Sequence, residues 1–130
     1  MNPDEVSTWF ESYNDFFGAC GRGEVPAEGV LDFYGDGVLI TGGDVVVGPG
    51  AQPAVEWVRG QAAAMQASNY SHTEILNSKV SVLNGTTALL TGDFSRRSRN
   101  GAEVAAFSVT YLIYRDSGQL RIGALALKAT

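Results

Sequence analysis

Two turn signals between Thr86 and Leu127 constrain the fold of this sequence more than any other feature. Asn100-Gly101 and Ser117-Gly118 each separate two strand-like runs rich in β-branched and aromatic residues. Dipeptides of this kind in such a setting are typical of tight β-hairpins. The segment is therefore predicted to form three consecutive antiparallel strands.

The two turns also predict which residues stand opposite each other. Around Ser117-Gly118 the expected pairs are Tyr114 with Arg121, Leu112 with Gly123, Thr110 with Leu125, and Ser108 with Leu127. Around Asn100-Gly101 they are Arg97 with Val104, Ser95 with Ala106, Asp93 with Ser108, and Thr91 with Thr110. These registers assign every side chain to one of two sheet faces, because side chains alternate along a strand.

The two predicted faces differ in polarity. An apolar face carries Leu90, Phe94, Phe107, Val109, Tyr111, Ile113, Ile122, Ala124 and Ala126. A mixed face carries Leu89, Val104, Ala106, Leu112, Leu125 and Leu127 together with Thr91, Asp93, Ser95, Ser108, Thr110, Tyr114 and Arg121. Both faces need cover from water, which favours helices on one side and a second sheet or a partner subunit on the other.

The preceding residues predict the remaining elements. A helix of about 16 residues begins at Pro3, and its apolar stripe is Val6, Phe10, Tyr13 and Phe17, widened by Trp9 and Phe16. The further expected elements are a short helix from Val25 to Tyr34, strands from Gly37 to Thr41 and from Val45 to Val47, a helix from Ala51 to Ala67, and a strand from Ser71 to Leu83. In the helix from Ala51 the expected buried residues are Val55, Val58, Ala62 and Met65.

Composition narrows the class of protein. The 130 residues are expected to form one domain, 1–130, and the net charge of −5 argues against a nucleic-acid partner. The single Cys20 cannot form an internal disulfide, and no cationic segment followed by an apolar run opens the chain, so a cytoplasmic location is expected. No apolar run is long enough to cross a membrane. His72 is the only histidine and the carboxylates show no ligand spacing, so no metal is expected. No glycine-rich loop carries a phosphate-binding motif, and no other cofactor is expected.

Several segments resemble one known superfamily. They are F-Y-G-D-G-V-L-I at 33–40, the helix start G-P-G-A-Q at 48–52, and F-S-V-T-Y-L-I-Y-R-D-S-G-Q-L-R-I at 107–122. Together with the element order they resemble the nuclear-transport-factor-2-like proteins, including the ketosteroid-isomerase-like and SnoaL-like families. The resemblance implies an α+β, cone-shaped barrel in which a curved antiparallel or mixed sheet wraps an N-terminal helix and two further helices. It also implies an apolar pocket inside the cone and a homodimer formed through the outer face of the sheet.

The resemblance and the hydrophobic pattern disagree about which face lines the pocket. Matching the strands to the family turns the mixed face inward and makes the apolar face the dimer surface. Hydrophobic patterning alone would send the apolar face to the helices. We adopt the polar-inward register as the prediction, with the other left open.

The residues used by ketosteroid isomerases are missing at the matching positions. Those enzymes use an aspartate base with a tyrosine and a protonated carboxylic acid as oxyanion donors. Thr41, Phe16 and Thr110 stand at these positions. Because threonine is no base near neutral pH and phenylalanine donates no hydrogen bond, steroid isomerisation by that mechanism is not expected.

Asp93 is the candidate catalytic residue if the mixed face lines the pocket. An enclosed carboxylate would have a raised pKa suited to general acid or base work. The expected ligand-binding residues around it are Tyr13, Phe16, Thr41, Trp57, Thr91, Ser95, Ser108 and Thr110. The ligand would be a small apolar molecule, and the reaction of an isomerase, cyclase or dehydratase type. The alternative is that Asp93 is a solvated surface residue, and that the protein is a non-catalytic binding or dimerisation module.

Overall fold

The computed structural model describes residues 1–129. Its helices are α1 (Pro3–Gly21), a 3-10 helix (Ala27–Asp32) and α2 (Ala51–Ala67). Its strands are β1 (Tyr34–Gly42), β2 (Val45–Val47), β3 (Tyr70–Val82), β4 (Thr87–Ser98), β5 (Glu103–Asp116) and β6 (Gln119–Leu127). This order agrees with the sequence prediction. The short second helix is an exception in its extent, because Tyr34 already pairs with Ile122 as the first residue of β1.

The six strands form one mixed sheet in the order β2-β1-β6-β5-β4-β3. β1 runs parallel to β6, whereas the other neighbours are antiparallel. Register shifts interrupt every pairing except that of β1 with β2. Because such bulges bend and twist a strand, the sheet curves around the helices without closing. The fold is thus an α+β cone, as the resemblance implied.

Helix α1 lies against the hollow of the curved sheet. Its first turn is capped by Asn2, whose side-chain oxygen accepts the Asp4 backbone N–H at 2.8 Å. Val6, Phe10 and Tyr13 are buried, as the helical spacing predicted. The Phe10 ring lies 4.8 Å from the ring of Tyr111 on β5. This aromatic contact fixes which side of β5 faces the helix.

Helix α2 packs beside α1 and over β1. Its buried residues are Ala54, Val55, Val58, Ala62 and Met65, which include all four predicted positions. The two helices approach closely at Gly21, where a Cβ would lie 2.3 Å from the terminal methyl of Met65. A larger residue at Gly21 would therefore force the end of the Met65 side chain to move.

The apolar side of the meander faces the helices, so the polar-inward prediction is wrong. We call this side the concave face; its buried residues include Leu90, Phe94, Val109, Tyr111, Ile113, Ile122 and Leu125. We call the opposite side the outer face; it carries Leu39, Thr41, Leu89, Thr91, Asp93, Ser108, Thr110, Leu112, Ala124 and Ala126. The physical reason is the one that hydrophobic patterning gave: turning this apolar surface outward would leave large side chains in water and bury hydroxyl and carboxylate groups.

The first hairpin has the predicted register over most of its length, but its loop differs from the prediction. Its loop has three residues, Arg99 to Gly101, closed by a 2.9 Å hydrogen bond from the Ser98 N–H to the Ala102 carbonyl. Arg97 therefore pairs with Glu103 and not with Val104, as had been predicted. A bulge then restores the expected pairs of Ser95 with Ala106, Asp93 with Ser108, and Thr91 with Thr110.

The second hairpin departs from the predicted register at Gly123. Ser117 and Gly118 form its two-residue tip, and Tyr114 pairs with Arg121 as predicted. Beyond Ile113 and Ile122, however, Leu112 pairs with Ala124 and Thr110 with Ala126, so Gly123 is an extra residue on β6. The predicted pairs of Leu112 with Gly123, Thr110 with Leu125 and Ser108 with Leu127 are wrong by one position.

The bulge at Gly123 exchanges the faces of the last residues of β6. Leu125 is buried and Leu127 turns toward the helices, while Ala124 and Ala126 lie on the outer face. A Cβ on Gly123 would come within 3.0 Å of the Tyr114 ring, so the bulge is best suited to glycine. The shift places the two larger side chains of this run inside the cone.

Candidate functional site

A half-open cavity of about 160 Å³ lies between the helices and the concave face. Helix α1 contributes Tyr13, Asn14 and Phe17 to its wall, and helix α2 contributes Trp57 and Gln61. The Phe17 and Trp57 rings meet edge to face, with their centroids 6.0 Å apart. The helical side of the cavity is therefore mainly aromatic, with two neutral amides.

The sheet side of the cavity is also mainly aromatic and aliphatic. Phe94 and Phe107 stack across β4 and β5, with ring centroids 5.4 Å apart. The remaining sheet residues that line the cavity are Thr73, Arg96, Ala105, Ala106, Val109, Tyr111, Leu125 and Leu127. Such a surface favours the apolar body of a small ligand over a strongly hydrated one.

Two buried tyrosine hydroxyls form a hydrogen bond beneath the cavity. The Tyr13 and Tyr34 oxygens are 2.8 Å apart. Burial raises the pKa of Tyr13 well above 10.0, and the nearby Tyr34 raises it further. Burial also raises the pKa of Tyr111. These hydroxyls consequently stay protonated near neutral pH, where they can donate hydrogen bonds but cannot act as bases.

Arg96 brings a positive charge into this aromatic setting. It lies on the concave face two residues after Phe94, and its Nη1 donates a hydrogen bond to Gln61 Oε1 at 3.1 Å. The guanidinium carbon lies 4.8 Å from the centre of the Phe107 ring and 5.9 Å from that of Phe17. Burial lowers the pKa of Arg96 from its ordinary 12.5, and it remains charged near neutral pH.

No carboxylate of the described residues lies within 4.0 Å of the Arg96 guanidinium. Nor does any aspartate, glutamate, histidine, cysteine or lysine within residues 1–129 line the cavity. The cavity thus combines one cation with aromatic rings and neutral polar groups. It has hydrogen-bond donors for a ligand, but no side chain that is a base near neutral pH.

The structure brings only part of the predicted site together. Of the expected ligand-binding residues, Tyr13 and Trp57 line the cavity. Phe16 lies elsewhere on α1 and packs on Phe33, with the two ring centroids 5.4 Å apart. Phe17 lines the cavity instead. Consecutive residues of a helix point in different directions around its axis, so Phe16 and Phe17 cannot both face the cavity.

The predicted polar residues of the sheet do not face the cavity. Thr91 and Thr110 meet across the outer face, where their hydroxyl oxygens are 3.2 Å apart. Thr41 and Thr110 border a shallow apolar depression on that same face. Ser95 on β4 is buried and donates a 2.5 Å hydrogen bond to Glu103 Oε2 on β5.

Asp93 also lies outside the cavity, and its environment opposes the predicted chemistry. Its carboxylate accepts hydrogen bonds from the Ser108 hydroxyl at 2.5 Å and from the Asn77 amide at 2.7 Å. The Ser108 bond and then the Asn77 bond lower the pKa of Asp93 below 3.8, whereas a pocket base was expected to have a raised pKa. The inward placement of Asp93 and Ser108 is therefore wrong.

Sequence reasoning missed Arg96 as a candidate site residue, although the sequence contained a signal. Arg96 shares its strand parity with Leu90 and Phe94, so the predicted register already placed it on the apolar face. Arg97 and Arg99 follow it closely, so the three arginines also resemble a solvated basic cluster around the Asn100-Gly101 turn. An isolated arginine on an otherwise apolar strand face is the pattern that identifies it.

Other kinds of site find no support in the part of the chain that is described. Within residues 1–129 no three side chains among His, Cys, Asp and Glu come close enough together to hold a metal ion. None of the helices in that range has both the length and the apolar character needed to span a bilayer. His72 is exposed beside Ser71 and Glu74, away from the cavity.

Solved structures share this architecture at low sequence identity. An NTF2-like protein with a cystatin-like fold from Novosphingobium aromaticivorans is 15% identical, with a TM-score of 0.75 over 95% of this chain and 79% of that one. An NTF2-like protein of unknown function from Shewanella oneidensis is 9% identical, with a TM-score of 0.73 over 97% and 98%. A domain of unknown function with a cystatin-like fold from Nostoc punctiforme is 14% identical, with a TM-score of 0.72 over 100% and 81%.

These likenesses establish the fold alone, because the sequence identities are low. No functionally curated protein matches the chain. A family model described as NTF2-like protein (DUF6841) does match residues 4–130. The match spans nearly the whole sequence and agrees with the cone of helices and curved sheet. The chain belongs to this NTF2-like family.

Proposed function

We propose that the protein binds a small, largely apolar molecule in the cavity between α1, α2 and the concave face. The observation that carries the proposal is the aromatic cavity of about 160 Å³. An engineered protein cavity of about 150 Å³ with apolar walls binds benzene, so this volume accommodates a single ring. The half-open form leaves room for a polar substituent at the mouth.

The cavity supports binding better than acid–base catalysis. Asp93, the candidate acid or base, lies on the other face of the sheet, and the tyrosines near the cavity are protonated near neutral pH. Proton transfer would need a group with a pKa near the working pH within reach of the ligand. Among the described lining residues, aromatic side chains, amides and Arg96 are suited to holding a ligand in one orientation.

Tryptophan fluorescence provides a direct test of this proposal. Trp57 lines the cavity, whereas Trp9 packs on Phe33 with the ring centroids 5.8 Å apart. In a Trp9→Phe background, Trp57 becomes the sole tryptophan and reports on the cavity. Titration with benzyl alcohol, benzamide and benzoate is expected to give a saturable change with at least one compound.

A cavity-filling variant supplies the control for that titration. Ala105 lines the cavity, so Ala105→Phe should occupy part of its volume and abolish the response. Ala63 is an exposed residue of α2, so Ala63→Phe should leave the response intact. A response that survives Ala105→Phe, or no saturable response to any of the three compounds, would contradict the proposed function.

We also propose that two copies of the chain pair through the outer face. The support is an apolar depression on that face, bordered by Leu39, Leu89, Leu112, Ala124 and Ala126. Leu112 is 37% exposed in the single chain. A second copy would cover such side chains without disturbing the cavity on the opposite side of the sheet. The dimer resembles the one implied by the family, but it uses the mixed face and not the apolar face.

A further inference from the structure

Arg96 differs in its surroundings from the four arginines that form ion pairs; of the two others, Arg99 is exposed and Arg121 donates to the Leu31 and Asp32 carbonyls and to Gln119. Arg22, Arg59, Arg97 and Arg115 each lie beside a carboxylate, and all four are at the surface or partly exposed. Arg96 is more enclosed than these, yet the only hydrogen bond of its side chain within the described residues is to the neutral Gln61. A chain with a net charge of −5 has carboxylates in surplus, yet none of those within residues 1–129 lies within 4.0 Å of this cation.

The enclosed guanidinium has donor capacity that the protein does not use. A guanidinium carries five N–H donors, and Gln61 accepts from one of them. Nε is enclosed and has no partner among residues 1–129. Contacts with the Phe107 and Phe17 rings offset part of the cost of removing the charge from water, but they use no N–H group. Arg96 lines the cavity, and its terminal nitrogens are not among the enclosed atoms that lack a partner.

Gln61 adds a second donor beside this cation. Its Oε1 accepts from Arg96, which leaves its Nε2 amide hydrogens without a partner among the described side chains. A guanidinium next to an amide N–H is a donor set that suits the two oxygens of a carboxylate. One positive charge matches a monoanion, whereas a phosphate dianion would call for more.

We infer that the ligand of this cavity is a small aromatic or alicyclic monocarboxylate. Its carboxylate binds the Arg96 terminal nitrogens and the Gln61 amide, and its ring lies among Phe17, Trp57 and Phe107. The inference rests on the proposed function, since it names the class of molecule that the same cavity binds. It goes further in requiring that charge, and not only shape, selects the ligand.

Benzoate and benzamide form the pair that tests this inference, because they share a ring and a planar substituent and differ in charge. Calorimetric titration of the wild-type protein at pH 7 is expected to show benzoate binding at least about tenfold more tightly than benzamide. Because the contact is electrostatic and partly exposed, raising the salt concentration should weaken benzoate binding and leave benzamide binding unchanged.

Two variants with a matched control assign that preference to Arg96. Arg96→Met should reduce the benzoate preference to about onefold while benzamide still binds. Arg97→Met changes the adjacent arginine, which forms an ion pair with Glu74. This variant should keep the preference for benzoate. Gln61→Glu would supply Arg96 with a carboxylate from the protein itself. It should therefore abolish benzoate binding without loss of benzamide binding or of thermal stability.

The outcomes separate this inference from the function on which it rests. Equal affinity for benzoate and benzamide in the wild type would overturn the monocarboxylate assignment and leave the binding function standing. Retention of the benzoate preference in Gln61→Glu would overturn it as well, even if Arg96→Met failed to fold. Absence of binding by every compound, including benzyl alcohol, would instead contradict the proposed function.

Discussion

Ile113 and Leu112 are consecutive residues of β5 whose side chains point to opposite faces of the sheet. Ile113 is 0% exposed and belongs to the core beneath the helices, whereas Leu112 is 37% exposed on the outer face. Truncating each to alanine removes a similar amount of side chain. The pair therefore compares the two faces within one strand. The two orientations considered for the sheet predict opposite results, because they differ in which of these faces lies under the helices.

The expected costs follow from burial. Ile113→Ala removes a fully enclosed side chain and leaves a space that its neighbours only partly fill, which costs about 3–4 kcal/mol. Leu112→Ala loses only the buried part of its contacts, about 1 kcal/mol or less. In a domain of this size 1 kcal/mol corresponds to roughly 3–5 °C in Tm, so the two variants should differ by roughly 10 °C.

Urea unfolding followed by circular dichroism measures both free energies directly. The measurements should be made at low micromolar protein, so that association through the outer face adds little to the cost of Leu112→Ala. Unchanged m-values would show that the unfolded states are comparable. A cost for Leu112→Ala equal to or greater than that for Ile113→Ala would refute the inward placement of the apolar face.

Three further results are expected. Hydrogen bonds from Ser108 and Asn77 hold the pKa of Asp93 in the folded protein below 3.8. The ionised carboxylate therefore stabilises the fold at pH values above the pKa that Asp93 has in the unfolded chain. This stabilisation is lost as the pH falls through the lower pKa of the folded protein. Between pH 7 and pH 3, urea unfolding should show a smaller loss of stability for Asp93→Asn than for wild type, and identical slopes would contradict this. Tyr13→Phe should lower the free energy of unfolding by about 1–3 kcal/mol, because it leaves the buried Tyr34 hydroxyl without its partner. The double variant Tyr13→Phe, Tyr34→Phe should lose less stability than the sum of the two single variants. Additive losses in this double-mutant cycle would count against the hydrogen bond. Leu112→Glu should give monomers in sedimentation velocity while Val46→Glu on β2 does not, and a dimer that survives Leu112→Glu would argue against the outer-face interface.

Much of the fold could be predicted from local sequence signals. The element order and most of the strand pairing follow from three signals. These are the glycines and prolines that end helices and strands, the aromatic stripe of α1, and the Ser117-Gly118 turn. These signals are reliable because each acts within a few residues of the chain. The start of β1 is less predictable, because the pairing of Tyr34 with Ile122 depends on a strand far along the sequence.

The bulge at Gly123 could not be predicted from the pattern of β6. The run Leu120 to Leu127 is apolar at both strand parities, so alternation does not reveal which residues turn inward. The structure places Leu125 and Leu127 on the concave face and the smaller Ala124 and Ala126 outside. Burying the larger side chains is favoured by the area they remove from water.

The candidate site was harder to predict than the fold, because it depends on which face is concave. The family resemblance favoured an inward mixed face, and that choice moved attention to Asp93 and away from Arg96. Hydrophobic patterning gave the correct face at the sequence level. A charged residue on the same strand face as core residues, as Arg96 is with Phe94, is therefore a better candidate for a pocket residue than a charged residue on a mixed face.

A two-dimensional NMR titration of nitrogen-15-labelled protein with benzoate tests the central claim most directly, because side-chain N–H signals report on each face separately. The account predicts that the Trp57 indole, the Gln61 amide and the Arg96 guanidinium signals shift together and saturate with one affinity. The Asn77 amide, which binds Asp93 on the outer face, should not move. Shifts confined to Asn77 and its neighbours, with those of Trp57, Gln61 and Arg96 unchanged, would contradict the account.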